Sequence, residues 1–88
     1  MAKTEPADQQ LTVIARAPFH IYYEGAARAV TATNRIGTFD VLPGHADFFS
    51  MLTAGKVVIT TDEEELSFEI TTGIITVRDN EALLFVNM

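Results

Sequence analysis

The sequence predicts an all-β domain, a small two-sheet antiparallel β-sandwich of roughly eight to ten short strands. Three observations carry this. Apolar and polar residues alternate through short segments, as where Leu66, Phe68 and Ile70 interleave with Glu65, Ser67 and Glu69. That is the period of a strand with one buried face. Turn residues punctuate the segments at nearly regular intervals: Pro18, Gly25, Asn34, Pro43-Gly44, Gly55, Gly73 and Asp79-Asn80. Finally, no stretch carries the apolar stripe of an amphipathic helix.

In chain order, residues 1–10 are polar, contain Pro6 and show no period, and read as a flexible N-terminal tail ahead of a domain over residues 11–88. Leu11, Val13, Ala15 and Ala17 alternate with Thr12, Ile14 and Arg16, a first strand that Pro18 interrupts because proline is confined to edges, strand starts and bulges. Phe19, Ile21 and Tyr23 alternate with His20, Tyr22 and Glu24 in a second strand, which Gly25 punctuates. Ala26 to Thr33 has alanines enough for a helix, but the β-branched Val30, Thr31 and Thr33 favour a strand. Asn34-Arg35 then turns the chain into Ile36 to Leu42, with Phe39 and Val41 on one face and Thr38, Asp40 and Leu42 on the other.

Pro43-Gly44 ends that strand in a tight turn of type II, since proline fixes one φ and glycine tolerates the positive one. Short extended pieces follow over Ala46 to Thr53, with Phe48, Phe49, Met51 and Leu52 as core candidates. Lys56 to Thr61 is the strongest strand by composition. Asp62-Glu63-Glu64 is a charged connection, Glu65 to Ile70 a half-buried strand, and Ile74 to Arg78 a further one. Asp79-Asn80 is a two-residue hairpin signal because both residues tolerate positive φ. Ala82 to Val86 closes the domain as a nearly continuous apolar strand.

Bulk properties narrow the function classes. At 88 residues this is one small domain, which buries ~60–70% of its unfolded surface on folding. Hydrophobic residues make up 48% and charged residues 20%, the composition of a folded, soluble, cytosolic domain. No apolar run approaches the length of a membrane span, and the first residues lack the pattern of a secretory signal. Absence of cysteine excludes disulfides and thiolate metal sites. A net charge of −6 argues against nucleic acid and against electrostatic docking on anionic lipid.

An enzymatic site would start from His45 with Asp40 and Asp47, which as a group could act in acid–base chemistry or hold a metal. A turn separates them, so convergence is not implied, and no serine or cysteine nucleophile has a base partner. The preferred reading is that His45 orders the Pro-Gly turn through a backbone hydrogen bond. His20 is expected to face solvent or a partner. The acids Asp62 to Glu65 lack the spaced ligands and glycine of a calcium loop and read as a solvated tip that protects strand edges. No catalytic, cofactor or metal residues are therefore assigned. Two positions point instead to a partner. Tyr22 lies opposite Phe19, Ile21 and Tyr23, on a strand apolar on both faces and so either sandwiched or partner-facing. In the last strand Leu83 and Phe85 alternate with Ala82, Leu84 and Val86, and one of these two apolar faces is expected to be covered by another subunit.

The block Gly37-Thr38-Phe39-Asp40-Val41-Leu42-Pro43-Gly44-His45-Ala46 resembles the N-terminal β-sandwich domain of the ATP synthase epsilon subunit (delta in mitochondria). The order of five further landmarks is similar to that family: Leu11-Thr12-Val13, Tyr23-Glu24-Gly25, Leu52 to Ile59, Phe68 to Gly73, and Val77 through Val86. Together they cover nearly the whole chain. Departures from the family pattern are Thr38 in place of a glutamate, Asp47 in place of a proline, and Thr72-Gly73 in place of a glycine pair. Members usually continue into a C-terminal helical hairpin, which this sequence does not contain; a piece of a longer chain and a naturally helix-free member both fit.

The resemblance implies a non-catalytic central-stalk subunit of an F-type ATP synthase without a cofactor. It would link the gamma subunit, met through one sheet, to the polar loops of the membrane rotor ring, met through a loop end. It would then be peripheral to the cytoplasmic face of the bacterial inner membrane, held there through the complex without inserting itself. The turns Asn34 to Thr38 and Pro43 to Asp47, and within them Asn34, Arg35, Thr38, Gly44, His45 and Asp47, are the implied ring-facing residues. The alternative is a stand-alone β-sandwich interaction module that shares the fold only.

Overall fold

A computed structural model describes residues 10–87; the N-terminal tail expected over residues 1–10 lies almost wholly outside that range. Nine strands form: β1 (Leu11–Ala17), β2 (His20–Ala27), β3 (Ala29–Thr33), β4 (Thr38–Val41), β5 (Phe48–Leu52), β6 (Gly55–Thr60), β7 (Glu65–Ile70), β8 (Thr72–Arg78) and β9 (Glu81–Asn87). They make a five-stranded sheet in the order β2-β1-β9-β8-β5 and a four-stranded sheet in the order β4-β3-β6-β7. The fold is the expected β-sandwich, with no helix among the described residues. One pairing departs from the antiparallel expectation: β1 and β9 run parallel, Val13 opposite Ala82 and Ala15 opposite Leu84.

Alternation fills the space between the sheets. Leu11, Val13 and Ala15 of β1, Ile75 and Val77 of β8, and Ala82, Leu84 and Val86 of β9 meet Val30 and Ala32 of β3, Val57 and Ile59 of β6, and Val41 of β4. Every one of these is buried, and the core contains no polar or charged residue. Burial of one such Leu or Ile side chain contributes about 1.5–3 kcal/mol.

Aromatic pairs close the two long seams of the sandwich. Tyr22 on edge strand β2 stacks on Phe68 of edge strand β7, with ring centroids 4.9 Å apart. At the other seam Phe39 of β4 meets Phe48 of β5 edge-to-face at 5.9 Å. A bulge explains why Tyr22 can do this. The β1–β2 register shifts between Ala15 and Arg16, so that Ala15 faces Tyr23 while Arg16 faces Ile21. The extra residue breaks strict alternation, and Tyr22 and Tyr23 both pack against the core. The expectation that Tyr22 lies on the face opposite Tyr23 is corrected accordingly.

Other corrections concern boundaries and one strand's faces. Gly25 does not end β2. It lies inside the strand at φ 156°, where an added Cβ would come within 3.2 Å of the Tyr23 hydroxyl, which itself donates to the Ala26 carbonyl. In β5 only Leu52 is buried and Phe48 partly so; Phe49 and Met51, expected in the core, point to solvent and are 60% and 66% exposed. Five residues of an extended edge strand cannot put Phe48 and Phe49 on the same side.

Candidate functional site

Strand ends define two loop-bearing ends of the sandwich. One gathers the turn after Val41, the Thr61–Glu64 turn and the Asp79-Asn80 hairpin. The other gathers the Pro18-Phe19, Asn34–Gly37 and Thr53-Ala54 turns. The two turns expected to share a ring-facing surface sit at opposite ends of β4, whose four residues span about 10 Å. One loop end cannot present both.

At the first end, the Leu42-Pro43-Gly44-His45 turn closes through a 3.0 Å bond from the His45 N–H to the Leu42 carbonyl, with Gly44 at φ 85°. This is the type II turn that the dipeptide predicts. Gly44 N–H donates to the Asn80 side-chain oxygen at 2.7 Å, and Asp79 N–H donates to Asp47 Oδ1 at 3.1 Å. The turn is thus strapped to the β8–β9 hairpin, whose Asp79 and Asn80 take φ of 51° and 63°. His45 Nδ1 donates to the Ala46 carbonyl at 2.8 Å, and its ring lies 4.7 Å from that of Phe48. Asp40 does not join it: its carboxylate accepts from the Thr31 hydroxyl at 2.6 Å. Among the described residues no group of three His, Cys, Asp or Glu side chains is placed to hold a metal ion. The His45 backbone closes the turn, and its side chain is held to the residue that follows. The same end of the sandwich carries Asp62, Glu63, Glu64 and Glu81, with Arg28 paired to Asp62 of the Thr61–Glu64 turn.

At the second end, Asn34 builds the loop that carries Arg35. Its side-chain oxygen accepts from the Ile36 and Gly37 amides at 2.9 and 3.2 Å, and its Nδ2 donates to the Ser50 hydroxyl at 3.2 Å. Reciprocal backbone bonds between Asn34 and Gly37 close the turn. Asn34 is the fixed part; Arg35 and Ile36 are the tip, with Ile36 96% exposed. Thr38 is exposed beside Thr33, their hydroxyl oxygens 3.5 Å apart. At the same end Phe19 is fully exposed on the β1–β2 hairpin. The two ends therefore differ in kind, one acidic and one apolar with a cation at its tip.

The third surface is the outer face of the five-stranded sheet. Register lines up Met51, Ile74, Phe85, Arg16 and Ile21 across β5, β8, β9, β1 and β2. Met51, Ile74, Phe85 and Ile21 are all exposed large hydrophobics, Phe85 at 49%. Phe49 and Leu83 extend the band along the neighbouring row. Scattered apolar residues are normal on a protein surface, whereas here four stand in one row broken only by Arg16. Phe85 was legible in the sequence because β9 is apolar on both faces. Met51, Ile74 and Ile21 were missed, although the same signal, apolar residues at both parities of a strand, was present in β5 and β8.

The chain matches the sequence model of the family described as ATP synthase, Delta/Epsilon chain, beta-sandwich domain over residues 9–88. It is 33% identical to the ATP synthase epsilon chain of Chlorobaculum tepidum over 79 residues, covering 89% of this chain and 90% of that one. The ATP synthase epsilon chain of Trichlorobacter lovleyi is 37% identical over 57 residues, covering 65% of this chain and 41% of the relative. That of Synechococcus elongatus is 32% identical over 77 residues, covering 88% and 56%. The chain thus spans about half the length of the last two relatives. Among solved structures, a chain of the Euglena gracilis mitochondrial ATP synthase (OSCP/F1/c-ring) superposes with a TM-score of 0.84 at 17% identity, covering 91% of this chain and 52% of that one. A chain of the Tetrahymena thermophila mitochondrial ATP synthase central stalk and c-ring does so with a TM-score of 0.76 at 19% identity, covering 92% and 66%. At those identities the likeness is one of fold.

Proposed function

The chain belongs to the ATP synthase delta/epsilon chain β-sandwich family, and from that membership we propose that it is a non-catalytic central-stalk subunit of an F-type ATP synthase. It would join the gamma subunit to the polar loops of the rotor ring and transmit torque between them. It would be held at the cytoplasmic face of the bacterial inner membrane by its partners; no helix among the described residues is long and apolar enough to cross a membrane. The relatives named epsilon chain support this reading over that of an unrelated interaction module.

The observation that carries the proposal is the exposed apolar band Met51–Ile74–Phe85–Ile21 on the five-stranded sheet. A rotor subunit has to hold its partner under load, and burying such a band is the largest favourable term available to it. Gamma docks there. The outer face of the four-stranded sheet is the poorer candidate, since its edge strand β7 presents Glu65, Ser67 and Glu69. Of the two loop ends, the one bearing Asn34, Arg35 and Thr38 meets the ring, and the acidic end bearing Gly44, His45 and Asp47 points away from it.

Co-purification with gamma and with the assembled ring separates these assignments. Phe85→Glu is expected to lose gamma while the domain stays folded, because the side chain lies outside the core. Arg35→Glu is expected to retain gamma and weaken ring assembly. Normal recovery of gamma by Phe85→Glu would refute the docking face, and normal ring assembly by Arg35→Glu would refute the choice of end.

A further inference from the structure

Arg16 stands in the middle of the apolar band, between Phe85 of β9 and Ile21 of β2 in register. It is the single ionised side chain of that row. Its Nε is buried and makes no hydrogen bond, and among the described residues no carboxylate pairs with it. A guanidinium nitrogen withdrawn from water without an acceptor is costly, and a partner that covered the band with apolar groups alone would raise that cost. One strand over from Arg16, at Phe85, the surface dips. A depression of about 300 Å³ is walled by Pro18, Met51, Ile74 and Phe85, with the β8 backbone at Gly73 along its side. Its size suits one bulky apolar side chain.

We propose that Arg16 and this depression form a two-part socket on the gamma-facing sheet, accepting from gamma a carboxylate and an adjacent bulky apolar side chain. The inference rests on the docking reading above and adds what the partner must present. A carboxylate is the acceptor that answers both needs of Arg16: it accepts from the guanidinium N–H donors that stay at the surface of this half-buried side chain, beyond the occluded Nε, and it neutralises the charge. A backbone carbonyl would meet only the first. In a chain of net charge −6, a cation placed within an apolar face selects against most orientations of a mispaired partner. Arg16 thus sets specificity and register, while the apolar band supplies most of the affinity.

The test is calorimetric titration of the full chain with the gamma subunit of the same organism, using variants whose fold is verified by circular dichroism. Arg16→Leu is expected to bind about tenfold to a hundredfold more weakly, since it leaves the partner's carboxylate buried and unpaired. Arg16→Lys should recover part of that loss, because it restores the charge without the fork. Met51→Trp, which fills the depression from an exposed position, should also weaken binding. If Arg16→Leu binds as tightly as the unaltered chain while Phe85→Glu does not bind, the carboxylate socket is wrong and the docking face stands. Should Phe85→Glu bind normally as well, the docking reading fails and takes the socket with it.

Discussion

At the scale of single residues, the chain spends its polar side chains on building turns. Asn34 makes three side-chain hydrogen bonds that hold the Arg35-Ile36 tip. Asn34→Ala is therefore expected to cost about 1 kcal/mol or somewhat more, read as a lower midpoint in urea with an unchanged slope. Gly73 is a different case. A Cβ there would meet the Phe85 carbonyl at 2.8 Å, a backbone atom that cannot move without parting β8 from β9. Gly73→Ala should destabilise by about 1–3 kcal/mol, measurable by the same titration. Turn chemistry was the part of the site most legible in the sequence: Pro43-Gly44 and Asp79-Asn80 turn as their φ preferences dictate. The side of Tyr22 was not legible. A bulge at Ala15/Arg16 moves it, and a bulge arises from pairing between strands rather than from any residue in the segment.

At the scale of elements, the four edge strands are held together by aromatic pairs. Tyr22 on Phe68 ties β2 to β7, and Phe39 against Phe48 ties β4 to β5. If these seams stabilise the sandwich beyond the area they bury, a double-mutant cycle on Phe39→Ala and Phe48→Ala should give a coupling of about 0.5–1.5 kcal/mol. A coupling near zero would show that the rings merely cover the core. Alternation in β1 and β7 made those strands readable, because one face is buried and the other wet, and β6 was readable from its β-branched composition. In β5 the run Phe48-Phe49-Ser50-Met51-Leu52 is apolar at both parities. Composition alone does not say which phenylalanine faces inward. The parallel pairing of β1 with β9 joins the two ends of the domain and has no local signature.

At the scale of the whole molecule, the sandwich has three surfaces of distinct chemistry: an acidic end, an apolar end tipped by Arg35, and an apolar outer sheet face. Such a division suits a part that contacts different neighbours on different sides. High salt is expected to weaken the proposed docking on the apolar face little and the proposed ring contact through Arg35 more, as co-purification across a salt series would read. On the proposed arrangement, gamma covers the outer face of the five-stranded sheet. The chain contains no cysteine, so one can be placed at will. The most direct measurement is the rate of thiol labelling at Ile74→Cys, on that face, and at Ser67→Cys, on edge strand β7 of the other sheet, with and without gamma. A severalfold fall at position 74 on adding gamma, with position 67 unchanged, is the predicted result. Protection at position 67 with none at 74 would contradict it, and would turn the domain around on its stalk.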